Sequence, residues 1–281
     1  MALTIITNVA SLNAQNNLTK TQTRLNTSLG RLSSGLRINR AGDDAAGLAI
    51  SENLKAQIRS IKQAERNAND GVSLLQVAEG GMNEVSGMLT RMRELAMEAA
   101  TDTVGSTERG FLDQEFQALT SEIDRIANVT EFNGTKLLDG TATAIDFQIG
   151  FRNTTNDRIT AAVQDMRSAT LGTGGGGAAL STVDVTTKTN ARAALDVLDA
   201  SITDTSAGRA DIGALENRLM VTIANLQSSR ENTSAANSRI RDTDVAEESA
   251  IMTRQNILMQ AGVSVLAQAN QIPSMALKLL Q

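Results

Sequence analysis

The stretch SGLRINRAGDDAAGLAIS, Ser34–Ser51, sets Arg37 and Arg40 against Asp43 and Asp44 across a glycine and then turns apolar. Charges placed this way suit either a catalytic or metal-binding loop, or a joint between two helices that docks another surface. The flanks decide. On the N-terminal side Leu18, Leu25 and Leu32 fall seven apart, with Leu29 and Leu36 in the alternate heptad position, so about Leu3–Leu32 is expected to be helix. Ser33–Gly35 interrupts the pattern, because Ser and Gly favour caps and turns. On the C-terminal side either Asp43 or Asp44 is a good N-cap. The stripe beyond it, Leu54, Ile58, Ile61, Ala68, Val72, Leu75, Met82, Val85, Leu89, Met92, Ala96 and Ala99, keeps helical spacing. Followed to Ala100, that helix is on the order of 80 Å long at about 1.5 Å per residue. So long a pattern points to coiled-coil packing. The opening stretch therefore reads as a joint between helices, and no chemistry is needed there.

Further along, DTVGST closes the long helix and opens another, striped by Leu112, Phe116, Leu119, Ile123 and Ile126. The period then drops to two. AIDFQIGFR puts Ile145, Phe147, Ile149 and Phe151 on one face and Asp146 and Gln148 on the other, the pattern of a strand. Asn133-Gly134 and Asp139-Gly140 are hairpin turn signals, so a small hairpin region is expected from Glu131 to about Met166. SATLGTGGGGAALST reads as part of a flexible Gly-rich linker, residues 168–189. Gly172–Gly177 formally fits G-x-G-x-x-G, but no alternating strands and helices surround it, so the dinucleotide reading is rejected. Helix returns with Leu195, Leu198, Ile202, Ile212, Leu215, Leu219 and Leu226, and a last helix carries Ile251, Leu258, Val265 and Ile272, each seven apart. The expected fold is mostly α: a long antiparallel coiled-coil or helical-bundle rod with a small β-hairpin region. Its expected parts are a terminal helix at 1–42, a first rod part at 43–180, a returning rod helix at 181–240 and a second terminal helix at 241–281.

Composition agrees with this reading. Of 281 residues 41% are hydrophobic, yet only five are Phe and none is Trp or Tyr. An aliphatic core of that kind suits thin helical bundles. A single proline, Pro273, leaves long helices uninterrupted. The chain has no histidine and no cysteine, which removes the commonest general base, the thiol nucleophile and the usual transition-metal ligands. No cofactor and no enzymatic activity are expected. A net charge of -5 argues against nucleic acid as a partner. No run of apolar residues is long enough for a membrane span, and MALTIITNVA lacks the basic start and unbroken apolar core of a secretory signal.

The charge map singles out the ends. The first charged side chain is Lys20, and nothing charged lies between Arg254 and Lys278. A solvated helix carries Lys and Glu on its outer face, whereas charge depletion marks surface buried between proteins. Residues 1–42 hold Lys20, Arg24, Arg31, Arg37 and Arg40 and no acid, while RDTDVAEES supplies Asp242, Asp244, Glu247 and Glu248. If the terminal segments run antiparallel, basic and acidic stretches lie side by side, and Arg37 and Arg40 are expected to dock against the acidic segment or a neighbouring copy. The expected assembly residues are Leu18, Leu25, Leu29, Leu32, Arg37, Arg40, Asp43, Asp44, Asp242, Asp244, Ile251, Leu258, Val265 and Ile272. Ends that cannot bury their stripes alone pair with each other and with neighbouring copies, and heterologous contacts that do not close generate a helical filament.

SLNAQNNLTKTQTRLNTSLGRLSSGLRINRAGDDAAGLAIS closely resembles the N-terminal region of bacterial flagellins, and ENTSAANSRIRDTDVAEESAIMTRQNILMQAGVSVLAQANQ resembles their C-terminal region. RMRELAMEAATDT and EFNGTKLLDG are similar to the rod domain between. Hook–filament junction proteins are similar at the termini, but SGLRINRAGDDAAGLAIS and AANSRIRDTD fit flagellin better. The alternative of a helical signalling or scaffold module would need heptads throughout, against AIDFQIGFR. The resemblance implies a minimal flagellin without the variable outer domains, polymerising into the extracellular filament for swimming. It also implies export by the flagellar type III route without a cleaved signal, a chaperone on the C-terminal helix, and contacts with the cap protein and the hook-associated junction protein. Finally, it implies that Arg91 and Leu95 of RMREL, with Glu115 of LDQEF, are candidate contacts for the flagellin-sensing Toll-like receptor.

Overall fold

The computed structural model describes residues 7–142, 144–173 and 177–278, with the side chains of 272–278 outside the description. Among the described residues the chain forms five α-helices and two small antiparallel sheets, and it is 74% helical. The helices are α1 (Val9–Ser34), α2 (Ala45–Ala99), α3 (Ser106–Val129), α4 (Lys188–Arg241) and α5 (Val245–Lys278). The strands are β1 (Glu131–Phe132), β2 (Thr135–Lys136), β3 (Ile145–Gln148) and β4 (Arg158–Ala161). The expectation of a mostly α fold with a small β region is met.

Local details depart from the sequence reading in instructive ways. The first helix starts at Val9, because Asn8 caps it by accepting the Ser11 N–H at 3.0 Å. Residues 1–6, part of the helix expected from Leu3, lie outside the described residues. Asn133-Gly134 does form the two-residue turn between β1 and β2, with φ of 50° and 79° as a primed hairpin turn requires. Asp139-Gly140 joins no paired strands. The Asp139 carboxylate instead accepts from the Thr141 N–H at 3.0 Å and hydroxyl at 2.5 Å. β3 pairs with β4 in the register Ile145↔Ala161 and Phe147↔Ile159, but it stops at Gln148. There both the Ile149 and Gly150 N–H groups turn onto the Asp157 carbonyl, at 2.9 and 3.0 Å. Phe151, expected on the buried face, is exposed with the Arg152 guanidinium 5.2 Å over its ring.

The chain divides into two compact units, residues 1–58 with 232–281, and residues 59–231. The second unit holds the larger core. On α2, Leu75, Ala78, Met82, Val85, Leu89, Met92, Ala96 and Ala99 alternate spacings of three and four and are all fully buried. They join Phe116 and Ile123 of α3, Leu198, Ile212 and Leu219 of α4, and Phe147 and Ile159 of the sheet. The segment expected as a flexible linker belongs to this core on both sides of residues 174–176, which lie outside the described residues. Leu171, Leu180 and Val185 are buried. Carboxylates from two helices hold the backbone: Asp124 accepts from Ser168 N–H and hydroxyl, both at 2.8 Å, Asp113 from Val185 N–H at 3.0 Å, and Asp204 from Gly172 N–H at 3.2 Å.

In the first unit α1 and α5 run antiparallel. Asn8 donates to the Ala269 carbonyl at 2.8 Å, Ser11 to Asn270 at 2.7 Å, and Arg31 pairs with Glu248 at 3.4 Å.

Candidate functional site

The joint Ser34–Ser51 is built from backbone capping. Gly35 ends α1 in the left-handed conformation, φ 71°, its N–H on the Arg31 carbonyl. The chain then pairs briefly with the segment after α4: Arg37 N–H donates to Arg241 O at 2.7 Å, and Thr243 N–H to Gly35 O at 3.0 Å. Asp43 accepts from the Arg40 N–H at 2.9 Å and the Asn39 N–H at 3.1 Å, and these two bonds, the Arg40 one foremost, hold its pKa below the usual carboxylate value. Asp44 is the N-cap of α2, accepting from Gly47 N–H at 2.8 Å. Asp244 does the same for α5, accepting from Ala246 and Glu247 N–H at 2.9 and 3.2 Å. Each carboxylate is engaged by backbone, so the loop has the geometry of a splice between helices. Among the described residues no cluster of three His, Cys, Asp or Glu could hold a metal ion.

Arg37 departs from expectation. Its guanidinium donates to the Ile240 carbonyl at 2.7 Å. The last carbonyls of α4 have no partner inside the helix and carry its partial negative charge, so they attract a cation as a carboxylate would. The ion pairs of this unit among the described residues are made by other residues, Arg31 with Glu248, Arg241 with Glu52 and Lys55 with Glu52.

The α1–α5 seam is the second surprise. The shielded positions include Ser11, Ala14, Leu18, Thr21, Leu25, Ser28 and Leu32 on α1, and Glu248, Met252, Gln255, Met259, Gly262, Leu266 and Ala269 on α5. Both sets alternate spacings of three and four, as a coiled-coil seam does. The stripe read from sequence on α5 is a neighbouring one: Ile251 is half-buried, whereas Leu258 and Val265 are 48% and 55% exposed. The side chain of Ile272 lies outside the description. On α1 Leu25 is buried, Leu18 and Leu32 are half-buried, and Leu29 is 48% exposed. Val9, Leu12, Ile257 and Val263 are exposed as well. Leu258 and Val265 line a shallow groove of about 280 Å³ with Ala14, Leu18 and Thr21. On α1 the heptad leucines read from the sequence, Leu18, Leu25 and Leu32, do lie in the seam. Its α5 half was missed because small and polar members such as Gly262, Ala269 and Gln255 do not register as apolar, although their heptad spacing is present in the sequence.

In the second unit Arg91 and Glu115 do come together, at 2.9 Å, with Glu94 also 2.9 Å from Arg91. The Glu115 hydrogen bond, then that of Glu94, raises the Arg91 pKa further. Leu95, expected with them, is 1% exposed and belongs to the core. Its side chain offers no surface to a partner, because it is packed into the core beside the α2 seam.

Comparison with known proteins extends the pattern over the chain. Residues 5–143 match the bacterial flagellin N-terminal helical region, and residues 195–280 the bacterial flagellin C-terminal helical region. A flagellin of Halalkalibacterium halodurans is 45% identical over 274 residues, covering 98% of each chain. A flagellin of Bacillus subtilis is 46% identical over 301 residues, again covering 98% of each. The crystal structure of Bacillus cereus flagellin is similar at 32% identity, covering 61% of this chain and 94% of that one, with a TM-score of 0.48.

Proposed function

The chain belongs to the bacterial flagellin family, and on that premise we propose that its paired terminal helices are the surface by which neighbouring copies bind. It is a structural subunit of the flagellar filament, outside the cell, and acts in motility, not in catalysis. One observation carries the assembly role of α1 and α5. Their charge-free lengths leave Leu12, Ile257, Leu258 and Val265 exposed beside a seam of small and polar residues. Apolar stripes on helices this poor in charge are covered by another protein, and in a homopolymer that protein is the next copy.

The test is seeded assembly, followed by sedimentation and negative-stain microscopy. The wild-type chain is expected to form filaments. Leu258→Asp/Val265→Asp is expected to stay in the supernatant with unchanged far-UV circular dichroism. Filaments from that variant at the wild-type rate would remove the assembly role of the stripe. The same exposed α5 face fits the export chaperone, and the cap and hook-associated junction proteins fit as neighbours of the terminal helices at the filament's ends. The family membership supports export by the flagellar type III route. Arg91 and Glu115 are proposed as contacts for the flagellin-sensing Toll-like receptor. Arg91→Ala is expected to weaken signalling by monomers in reporter cells, and an unchanged response would discard that assignment.

A further inference from the structure

Once the bonds within the chain are assigned, the charges at the joint end of the first unit leave two unmatched groups. Lys20, Arg24 and Arg31 stand at i, i+4 and i+11, one stripe of α1. Arg31 is engaged by Glu248, and Arg37 by the end of α4. Lys20, Arg24 and Arg40 are exposed, and among the described residues none of the three is in an ion pair. Arg40 is brought to the α1 stripe by the joint. Thr23, Thr27, Gly30 and Arg31 line a groove of about 300 Å³ with Asn39, Arg40 and Asp43. Asp43 is the one acid there, and its Oδ2 is occupied by the Asn39 and Arg40 amides.

On the acidic side Asp244 caps α5, Glu248 holds Arg31 and Glu52 holds Arg241. Asp242 and Glu247 are exposed and make no ion pair among the described residues. Because Arg31 lies beside Glu248, the basic groove and these two acids share one end of the α1–α5 pair. They still do not meet within one chain.

We propose that the groove lined by Arg40, together with Arg24 and Lys20 of the α1 stripe beside it, receives Asp242 and Glu247 of a second copy of this chain. The inference rests on the filament reading and adds what sets the register of the contact. Donor and acceptor are different surfaces of the same molecule, so each contact leaves one of each free, and the series propagates instead of closing as an isologous pair does. Exposed pairs give little affinity but fix partner and orientation, and their effect falls with added salt.

Complementary charge reversal tests this in the full-length chain. One variant carries Arg24→Glu/Arg40→Glu, a second Asp242→Lys/Glu247→Lys, and a third all four changes. Seeded elongation is followed by light scattering, and circular dichroism checks that each variant is folded. The first two, each alone, are expected to elongate roughly tenfold more slowly at low salt. Their equimolar mixture and the four-fold variant are expected to recover, because each reversed groove then meets a reversed acid. Wild-type rates for either single reversal overturn the proposal. So does a folded mixture that stays as slow as its components. A wild-type chain that does not polymerise refutes the filament reading itself and this proposal with it, whereas wild-type filaments with no rescue refute this proposal alone.

Discussion

Glu216 lies on α4 with Oε1 buried and without a hydrogen-bond partner, in the field of Glu79. Burial first, and Glu79 second, push its pKa above the usual carboxylate value. A raised folded-state pKa means that its stabilising contribution is complete at low pH, where the carboxyl is protonated in both states, and is lost as pH rises through the folded pKa. Glu216→Gln is therefore expected to raise Tm at pH 7 by about 1–3 °C, and that gain should vanish near pH 3.5. Thermal melts at the two pH values check it. Leu95 and Leu258 make a matched pair of opposite sign. Leu95→Ala empties a buried core site and should cost about 2–5 kcal/mol in urea unfolding. Leu258→Ala, at 48% exposure, should change the free chain by no more than about 0.5 kcal/mol while slowing seeded assembly. Sequence spacing puts Leu258 on an apolar stripe and leaves Leu95 off one; their surroundings reverse the two.

Short polar side chains acting on backbone hold the N-termini of α1, α2 and α5, through Asn8, Asp44 and Asp244. Asp44→Ala should destabilise the first unit by about 1 kcal/mol, visible as faster hydrogen exchange in the first turn of α2. Asp43→Ala leaves that turn protected and loosens Asn39 and Arg40 instead. Which of the two caps the helix was open in the sequence, since adjacent aspartates satisfy the same rule. Before α4, Asp184 accepts from Thr186 and from the Asn190 amide at 2.9 and 3.0 Å. The Thr186 hydroxyl first, then Asn190, hold its pKa below the usual value. Asp139 is lowered in the same way by the Thr141 hydroxyl and N–H. Depressed folded-state pKa values stabilise above the unfolded value of about 4 and lose that effect as pH falls through the folded pKa. The urea midpoint of the second unit should therefore drop on acidification below about pH 4. Asp184→Asn should make the drop smaller, and an unaltered pH profile would refute the assignment.

At the scale of the molecule, the two units differ in what fills their seams. The α2 seam is Leu, Met, Val and Ala throughout, whereas the α1–α5 seam holds Ser11, Thr21, Ser28, Gln255 and Gly262. With little apolar area to bury, isolated terminal helices are marginal in water. In the unpolymerised chain, amides of α1 and α5 are expected to exchange at least about a hundredfold faster than those of α2 between Leu75 and Ala99. The difference should narrow sharply in filaments. Equal protection of both seams in the monomer would show the terminal pair to be stable by itself.

The sequence alone determined that the chain is mostly helical, where its long helices break, that a strand follows the NG turn, and that its ends lack charge. These are local properties, carried by periodicity and by cap and turn residues within a few positions. Tertiary structure decided which stripe of α5 faces α1, which partner Arg37 takes 203 residues away, and that aspartates of α3 and α4 pin the Gly-rich segment. Heptad spacing sets a period but leaves the phase open, and adjacent stripes of one helix satisfy it equally. The choice between them belongs to the surface that arrives from the far end of the chain.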